Sequence, residues 1–188
     1  MAGPHRVPRL RLFERPRMTR KPSRRFVDPV QKFDAFNDTE STVAIAGHPL
    51  HAMMVAFPIT LAFCTFAADG LYWWTGDAFW PRVAIWSAGV GFFIGVLAGI
   101  VGTVELLAVR GIRVRSASWT HFILAVMLLS LLGANWVIRH DNAEAIVLPW
   151  GMLVSAICAG MTAVTGWHGG KLVFDYQIGT KDGHRDPP

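Results

Sequence analysis

Four long runs of apolar residues dominate the pattern of hydrophobic and polar positions along the chain. They cover residues 49–75, 83–109, 117–138 and 145–174. Each run is longer than the roughly 20 residues that an α-helix needs to cross the hydrocarbon core of a bilayer. A membrane-spanning barrel would instead require many short strands of alternating polarity, and the sequence shows no such pattern. The pattern therefore predicts an all-α protein with four transmembrane helices.

The connections between the runs are short, which favours an up-down-up-down four-helix transmembrane bundle with antiparallel neighbours. We predict a basic, disordered N-terminal arm over residues 1–45, a transmembrane domain over residues 46–176 and a cytoplasmic tail over residues 177–188. Composition agrees, because 52% of the 188 residues are hydrophobic and only 16% are charged. A soluble domain has about 25% charged residues, and one of this size could not bury so much apolar surface.

The uneven distribution of basic residues predicts the orientation in the membrane. Ten of the 18 lysines and arginines precede residue 33. The net charge of +5 therefore comes from the arm and does not indicate a nucleic-acid-binding surface. The first and third connections carry only Arg82 and Arg139. Both termini are therefore predicted to be cytoplasmic. The basic residues on that side beyond the arm are Arg110, Arg113, Arg115, Lys171, Lys181 and Arg185.

Small residues recur in the second apolar run. Gly91, Gly95 and Gly99 follow one another at intervals of four and so share one face of the predicted helix. Such a face lets another helix approach closely. It has two interpretations, namely packing within the bundle and a contact surface for a homo-oligomer or a larger membrane complex.

Four of the seven histidines lie at one predicted depth. His48 and His51 begin the first helix, His121 lies near the start of the third and His168 near the end of the fourth. Glu105 lies near the end of the second helix. Each helix thus contributes a titratable group to one layer at the cytoplasmic end of the bundle. Polar side chains within a membrane are costly and usually face the bundle interior.

Imidazoles in such a layer indicate a bound metal or haem. Two histidines on facing helices can hold haem b inside a four-helix bundle. We predict that His51 and His121 are axial ligands of the haem iron, with His48 and His168 as substitutes or as neighbours of the ligands. The haem propionates would meet basic side chains at the cytoplasmic surface. The candidates for that contact are Arg110, Arg113, Arg115 and Lys171.

Two carboxylates need an interpretation of their own. Glu105 either hydrogen-bonds a ligand histidine or is an interfacial acid paired with Arg110. Asp69, near the outer end of the first run, is interpreted as an interfacial residue.

Other kinds of site find no support in the sequence. Cys64 and Cys158 form neither Cys-x-x-Cys nor Cys-x-x-Cys-His, which argues against a zinc ribbon or redox dithiol and excludes covalent c-type haem. No pairing of a nucleophile with a base and no glycine-rich phosphate loop is evident.

Several motifs resemble a family of bacterial membrane proteins catalogued as domain of unknown function 2231. The resemblance covers roughly residues 46–180 and rests on His48-Pro49-Leu50-His51, on Phe57-Pro58-Ile59, on the position of His121 and on the segment 166–173. It implies a four-helix bundle in the bacterial inner membrane. Some members resemble b-type cytochromes or accompany Rieske-type iron–sulfur modules, which implies haem and electron transfer. His48, His51 and His121 match the family's histidines, whereas Ala52, His168 and Lys171 depart from its pattern.

These observations lead to the hypothesis of an integral membrane electron carrier similar to a b-type cytochrome. It would exchange electrons between a quinone or membrane dehydrogenase and a partner protein, as an electron-transfer subunit more than as a stand-alone enzyme. Two alternatives remain open. One is a cofactor-free anchor or scaffold subunit of a larger complex. The other is a non-haem site that binds one or two transition-metal ions through His48, His51, His121, His168 and Glu105.

Overall fold

A computed structural model of the chain describes residues 41–46, 48–176 and 178. Most of the predicted arm and tail, residues 1–40, 177 and 179–188, lie outside the described residues. The elements in chain order are β1 (Ala44–Ile45), β2 (His48–Pro49), α1 (Leu50–Met54), α2 (Ala56–Thr75), α3 (Phe79–Ala108), α4 (Arg110–Arg113), α5 (Ser116–Ile138), α6 (Ala143–Ile146), a π-helical turn (Val147–Gly151) and α7 (Met152–Phe174). The two short strands pair antiparallel just before the first long helix.

In the described part of the chain, four helical segments are long and apolar enough to cross a membrane. This finding confirms the all-α fold and the four spans predicted from the apolar runs. The second segment begins at Phe79, ahead of the run that predicted it. We call them the first to fourth spans, and they cover Leu50–Thr75, Phe79–Ala108, Ser116–Ile138 and Ala143–Phe174.

The fourth span is irregular near its beginning. Pro149 has no backbone N–H to donate, and the residue before a proline is restricted to extended backbone. Leu148 accordingly has φ −112° and ψ 127° within the π-helical turn. Regular helix resumes at Met152. The turn brings the Gly151 carbonyl to the third span, where it accepts a hydrogen bond of 3.1 Å from Arg139.

The surface of the bundle is apolar, and small residues fill its interior. Trp73, Trp86 and Trp167 are 68%, 73% and 73% exposed, whereas Ala62 and Ala88 are fully buried. Helices in lipid gain little from burying apolar surface against one another, so close packing through small residues holds them together. The distribution is therefore that of a membrane protein.

The glycine face of the second span packs within the chain's own bundle. A Cβ atom added to Gly91 would lie 3.1 Å from Leu61 of the first span, and one added to Gly95 would lie 2.5 Å from Leu129 of the third. Gly99 also faces Leu129. A homo-oligomer contact through this face therefore cannot form without opening the bundle, because the neighbouring spans already cover it.

A fully buried ion pair joins the first and third spans. Arg139 donates from Nη1 to Oδ1 of Asp69 at 2.8 Å and from Nη2 to Oδ2 at 2.6 Å, and both side chains are 0% exposed. Nε of Arg139 donates to Oδ1 of Asn135 at 2.9 Å. The Ser155 hydroxyl donates to Oδ2 of Asp69 at 2.6 Å. With the Gly151 carbonyl, these groups surround the two charges with partners from three spans.

This network changes how two residues are interpreted. On sequence alone, Asp69 is an interfacial residue and Arg139 is part of the third connection, but both are fully buried and paired with each other. A charge inside a membrane is costly unless it is paired and its remaining hydrogen-bonding groups are satisfied. The paired fork of Arg139 on Asp69 meets that condition, since a bidentate arginine–carboxylate contact is among the strongest hydrogen-bonded pairs.

Replacement of Asp69 by Asn should lower the free energy of unfolding by about 3–5 kcal/mol, because it leaves the Arg139 charge buried without a counter-ion. SDS unfolding of the detergent-purified protein, followed by circular dichroism, measures the change. Asp141→Asn removes an exposed carboxylate and is the control. The apolar double variant Asp69→Leu/Arg139→Met should recover much of the loss. An Asp69→Asn protein as stable as the control would contradict the network's role.

Candidate functional site

His51 and His121 meet between the first and third spans. Their ring centres are 6.4 Å apart, and their ring planes are inclined at 81°. His51 belongs to α1 and His121 to the second turn of α5, so each ring comes from the beginning of its span. Both side chains are half-buried.

A backbone carbonyl of the following span holds each of the two rings. Nδ1 of His51 lies 2.8 Å from the carbonyl oxygen of Ala98, and Nδ1 of His121 lies 3.2 Å from that of Thr165. A carbonyl only accepts hydrogen bonds, so a neutral ring must carry its proton on Nδ1 to make this contact. Nε2 then keeps a lone pair and points away from the carbonyl. This tautomer is the one in which Nε2 can bind a metal.

A glycine faces each ring along the edge that contains Cε1. A Cβ atom on Gly102 would lie 2.7 Å from Cε1 and Nδ1 of His51, and one on Gly169 would lie 3.0 Å from Cε1 of His121. Real Cβ atoms essentially never come as close to a neighbour as 2.7 Å, and a contact at 3.0 Å is tighter than nearly all of those observed. Each ring therefore occupies space that only the missing side chain leaves free.

Two cavities flank the histidine pair and share its rings as walls. The midspan cavity has a volume of about 340 Å³, and its far end is lined by Pro58 and Leu132. The end cavity has a volume of about 440 Å³ and includes Phe122 and Ile178. Both volumes fall in the range of small-molecule sites, and their linings are mainly apolar. Residues common to both cavities are His51, Gly99, His121, Ala125, Leu129 and Leu172.

Each cavity also contains one buried hydroxyl without a partner. Among the described residues, the Thr165 hydroxyl in the midspan cavity and the Ser118 hydroxyl in the end cavity make no hydrogen bond within the chain. Buried polar groups are nearly always paired, so such hydroxyls indicate a place where a ligand or water contributes the partner. Both lie close to His121, since Ser118 precedes it by one turn and Thr165 supplies its carbonyl contact.

Glu105 lies in the wall of the end cavity and is only 8% exposed. Its carboxylate accepts a hydrogen bond from the Ser41 hydroxyl, which precedes the first strand. The segment before the bundle therefore contacts the wall of the end cavity at Glu105. The contact of Ser41 with the site could not be predicted, because nothing in the hydrophobic pattern of the sequence places that segment against the second span.

Comparison with known families places the chain in one of them. A family model for predicted membrane proteins, DUF2231, matches residues 47–182, which include all four spans. The chain belongs to the DUF2231 family. No match was found among curated proteins or among solved structures. The family description supports the membrane location and names no activity.

In this DUF2231 protein the other two histidines of the predicted layer do not line the cavities beside the pair. His48 is exposed in β2, and its Nδ1 contacts the carbonyl of Ala46 at 3.1 Å. Nδ1 of His168 contacts the Val164 carbonyl of its own helix at 3.0 Å. Neither lines the midspan or the end cavity. The structure thus brings together His51 and His121, the two ligands proposed for iron, and places neither His48 nor His168 in the walls of the cavities.

The basic residues of the DUF2231 chain surround the same end of the bundle. Arg113 donates to the Leu107 carbonyl at 2.9 Å. Arg115 is buried, donates to the Gly111 carbonyl at 2.9 Å and lies over the Tyr176 ring. Arg110 and Lys171 are exposed. These four residues therefore border the site without lining either cavity.

The described part of the DUF2231 chain holds no group of three or more His, Cys, Asp and Glu side chains arranged for a metal ion. The five-residue non-haem site is therefore not assembled there. Two converging imidazoles remain. Two is the number of axial positions that histidines can fill on a haem iron.

The elements that hold the rings in this DUF2231 protein were missed by sequence reasoning. Carbonyl contacts of Ala98 and Thr165 have no sequence signal, because every residue has a carbonyl. Gly102 and Gly169 do have one, since each stands four residues after the carbonyl that its neighbouring histidine contacts. That signal is visible only once the helices are aligned.

Nδ1 should carry the proton in His51 and His121 of the ligand-free protein, because a carbonyl faces it in both. Histidine ¹⁵N NMR in detergent measures the tautomer, with His51→Ala and His121→Ala for assignment. The two Nδ1–H signals should exchange with solvent more slowly than that of exposed His48. Protonation at Nε2 in either ring would contradict the proposed anchoring.

Proposed function

We propose that this protein is a membrane electron carrier that holds haem b between His51 and His121. The convergence of two imidazoles from different spans carries the proposal. When bound, haem supplies reversible one-electron transfer at its iron. The protein's part is to bind and orient the group, to exclude water and to adjust the reduction potential.

The distance between the rings fits two ligands of one iron. Because a metal–imidazole bond is about 2.1 Å long, two rings that bind one ion from opposite sides have centres roughly 6 Å apart. The ring centres of His51 and His121 are 6.4 Å apart. The two cavities extend from this pair in different directions and offer apolar walls for a large planar group. Their unpartnered hydroxyls, on Ser118 and Thr165, offer polar contacts at its edges.

Binding through two neutral imidazoles also suits the electrostatics of a membrane. Hydrogen bonds from Nδ1 to the carbonyls of Ala98 and Thr165 orient the rings and raise their basicity as ligands. With His51 and His121 both holding the iron, haem would supply electron transfer and would not bind oxygen or substrate. This supports electron transfer over bond-making chemistry.

The basic residues next to the end cavity favour binding of the haem propionates and of redox partners at this end of the bundle. The end cavity lies beside the basic connection that holds Arg110, Arg113 and Arg115, whose charges favour carboxylates near the surface. We propose that this end is cytoplasmic, in a bacterial inner membrane, and that a quinone or membrane dehydrogenase exchanges electrons with the haem. A separate redox protein would be the second partner.

The detergent-purified protein should show a sharp α-band of b-type haem in its reduced-minus-oxidised spectrum. His51→Ala and His121→Ala should each lower the haem content by about 10-fold or more, since each removes an axial ligand. Their helical circular dichroism should persist, because neither residue belongs to the buried ion-pair network. His48→Ala and His168→Ala are the matched controls and should retain the band.

Other outcomes of the same experiment decide between the alternatives. An unchanged spectrum of the His121→Ala protein would eliminate His121 as a ligand. Stoichiometric metal without a haem band would favour the non-haem site. Absence of both would favour a scaffold, in which the histidines act as cross-links between spans through the carbonyls that they contact.

Orientation can be tested by fusion reporters. A fluorescent protein that folds only in the cytoplasm should fluoresce when fused after residue 188, because basic residues concentrate at that end. Alkaline phosphatase, which is active only outside the cytoplasm, should be active when fused after Asp77 or Asp141 in the first and third connections. The opposite pattern would reverse the proposed orientation.

A further inference from the structure

In the first and third spans, the residues that contact each other or are buried occur at corresponding positions. A shift of 70 residues takes His51 to His121 and Asp69 to Arg139, and each of these pairs is in contact in the structure. The same shift relates three pairs of buried residues between them. Pro58, Ala62 and Thr65 correspond in this way to Leu128, Leu132 and Asn135, all of which are buried.

The second and fourth spans show a similar relation. A shift of 67 residues takes Ala98 to Thr165 and Gly102 to Gly169. Four further buried positions of the second span also have buried counterparts in the fourth. Ala84, Ala88, Gly91 and Gly95 correspond to Gly151, Ser155, Cys158 and Thr162.

Both histidines therefore have equivalent surroundings. In each half, a histidine at the start of one span contacts a carbonyl near the end of the next, and a glycine four residues beyond that carbonyl faces the Cε1 edge of the ring. His51, Ala98 and Gly102 form one set. His121, Thr165 and Gly169 form the other. The residue types differ between the halves, so the relation lies in positions and contacts more than in sequence identity.

We propose that the chain consists of two equivalent helix pairs, related by an approximate twofold axis that passes between His51 and His121, and that Gly102 and Gly169 are equivalent positioning residues for the rings. The first and third spans begin at the same end of the bundle, so the axis runs along the spans. This inference rests on the proposed haem site. It adds that the two axial ligands are held in the same way and that their planes are held nearly perpendicular.

The equivalence fails at the opposite end, where the counterpart of Asp69 is Arg139. Opposite charges at equivalent positions attract each other across the axis, whereas two identical residues there could not form an ion pair. At one end, the two halves are thus held together by an ion pair between unlike residues. At the other end, each half would contribute one histidine to the proposed haem.

Perpendicular rings have a measurable consequence. The plane of each imidazole sets the direction of its π overlap with the iron. Perpendicular planes keep the two iron orbitals that receive this overlap close in energy, and oxidised low-spin iron then gives one strongly anisotropic EPR signal with a large first g value. Parallel planes separate the orbitals and give an ordinary three-line rhombic signal. The interplanar angle of 81° predicts the first of these.

The test compares EPR spectra of the oxidised, haem-containing protein and two variants. Gly102→Ala should lose most of the large-g signal and gain a rhombic or high-spin one, and Gly169→Ala should lose part of it, because the added Cβ would lie 2.7 Å and 3.0 Å from the ring, respectively. The larger loss is expected for Gly102→Ala. Gly160→Ala, a fourth-span glycine with nothing within 4 Å of the added Cβ, is the control and should keep the native signal.

Each outcome separates this inference from the proposed function. A b-type optical spectrum with a rhombic EPR signal in the native protein overturns the perpendicular arrangement but keeps the haem site. A large-g signal that persists in both glycine variants overturns their positioning role. A native protein without haem bands overturns the proposed function itself.

If the glycine variants do not accumulate, His51→Met and His121→Met test the equivalence in another way. Each replaces one imidazole ligand by a thioether, which raises the reduction potential of haem. Equivalent ligands should give increases of similar size in a redox titration. A clear difference between the two would overturn the twofold relation.

Discussion

Lipid offers no partner to a buried charge, so a charged pair inside this bundle must be satisfied by the protein itself. The ion pair of Asp69 and Arg139 is the most demanding case, since both charges are fully buried. Its partners come from the first, third and fourth spans, and they include the Gly151 carbonyl that the irregular turn presents. The packing of these spans at one end therefore follows from the need to satisfy two charges.

The same two spans carry the histidine pair at their other end. Along the first span 18 residues separate His51 from Asp69, and the same number separates His121 from Arg139. A helical rise of about 1.5 Å per residue makes this distance roughly 27 Å, close to the thickness of the hydrocarbon core. One contact at each end fixes the relative height of the first and third spans. The ion pair thus supports the histidine geometry without touching it.

The proposed function follows from how the rings are held. A lone histidine near a membrane surface has no necessary role, but His51 and His121 face each other with their tautomers set by carbonyls and with glycines beside their edges. Under the proposed function, Nε2 of each ring would bind the shared haem iron. Membership of DUF2231 agrees with a membrane location and leaves the chemistry to be argued from this site.

The sequence by itself determined the four spans, because hydrophobic length alone decides whether a helix can cross a bilayer. It also placed His51 and His121 at one depth, since depth depends only on the position of a residue within its span. Rotation about a helix axis is different, because it depends on which side chains pack against which neighbours.

Only the tertiary structure decided that His51 and His121 converge while His48 and His168 line neither cavity, and that Asp69 and Arg139 pair inside the bundle. Hydrophobic runs that are apolar on every side carry no signal of which face turns inward. That choice is made by contacts between residues about 70 positions apart, which local sequence patterns do not contain.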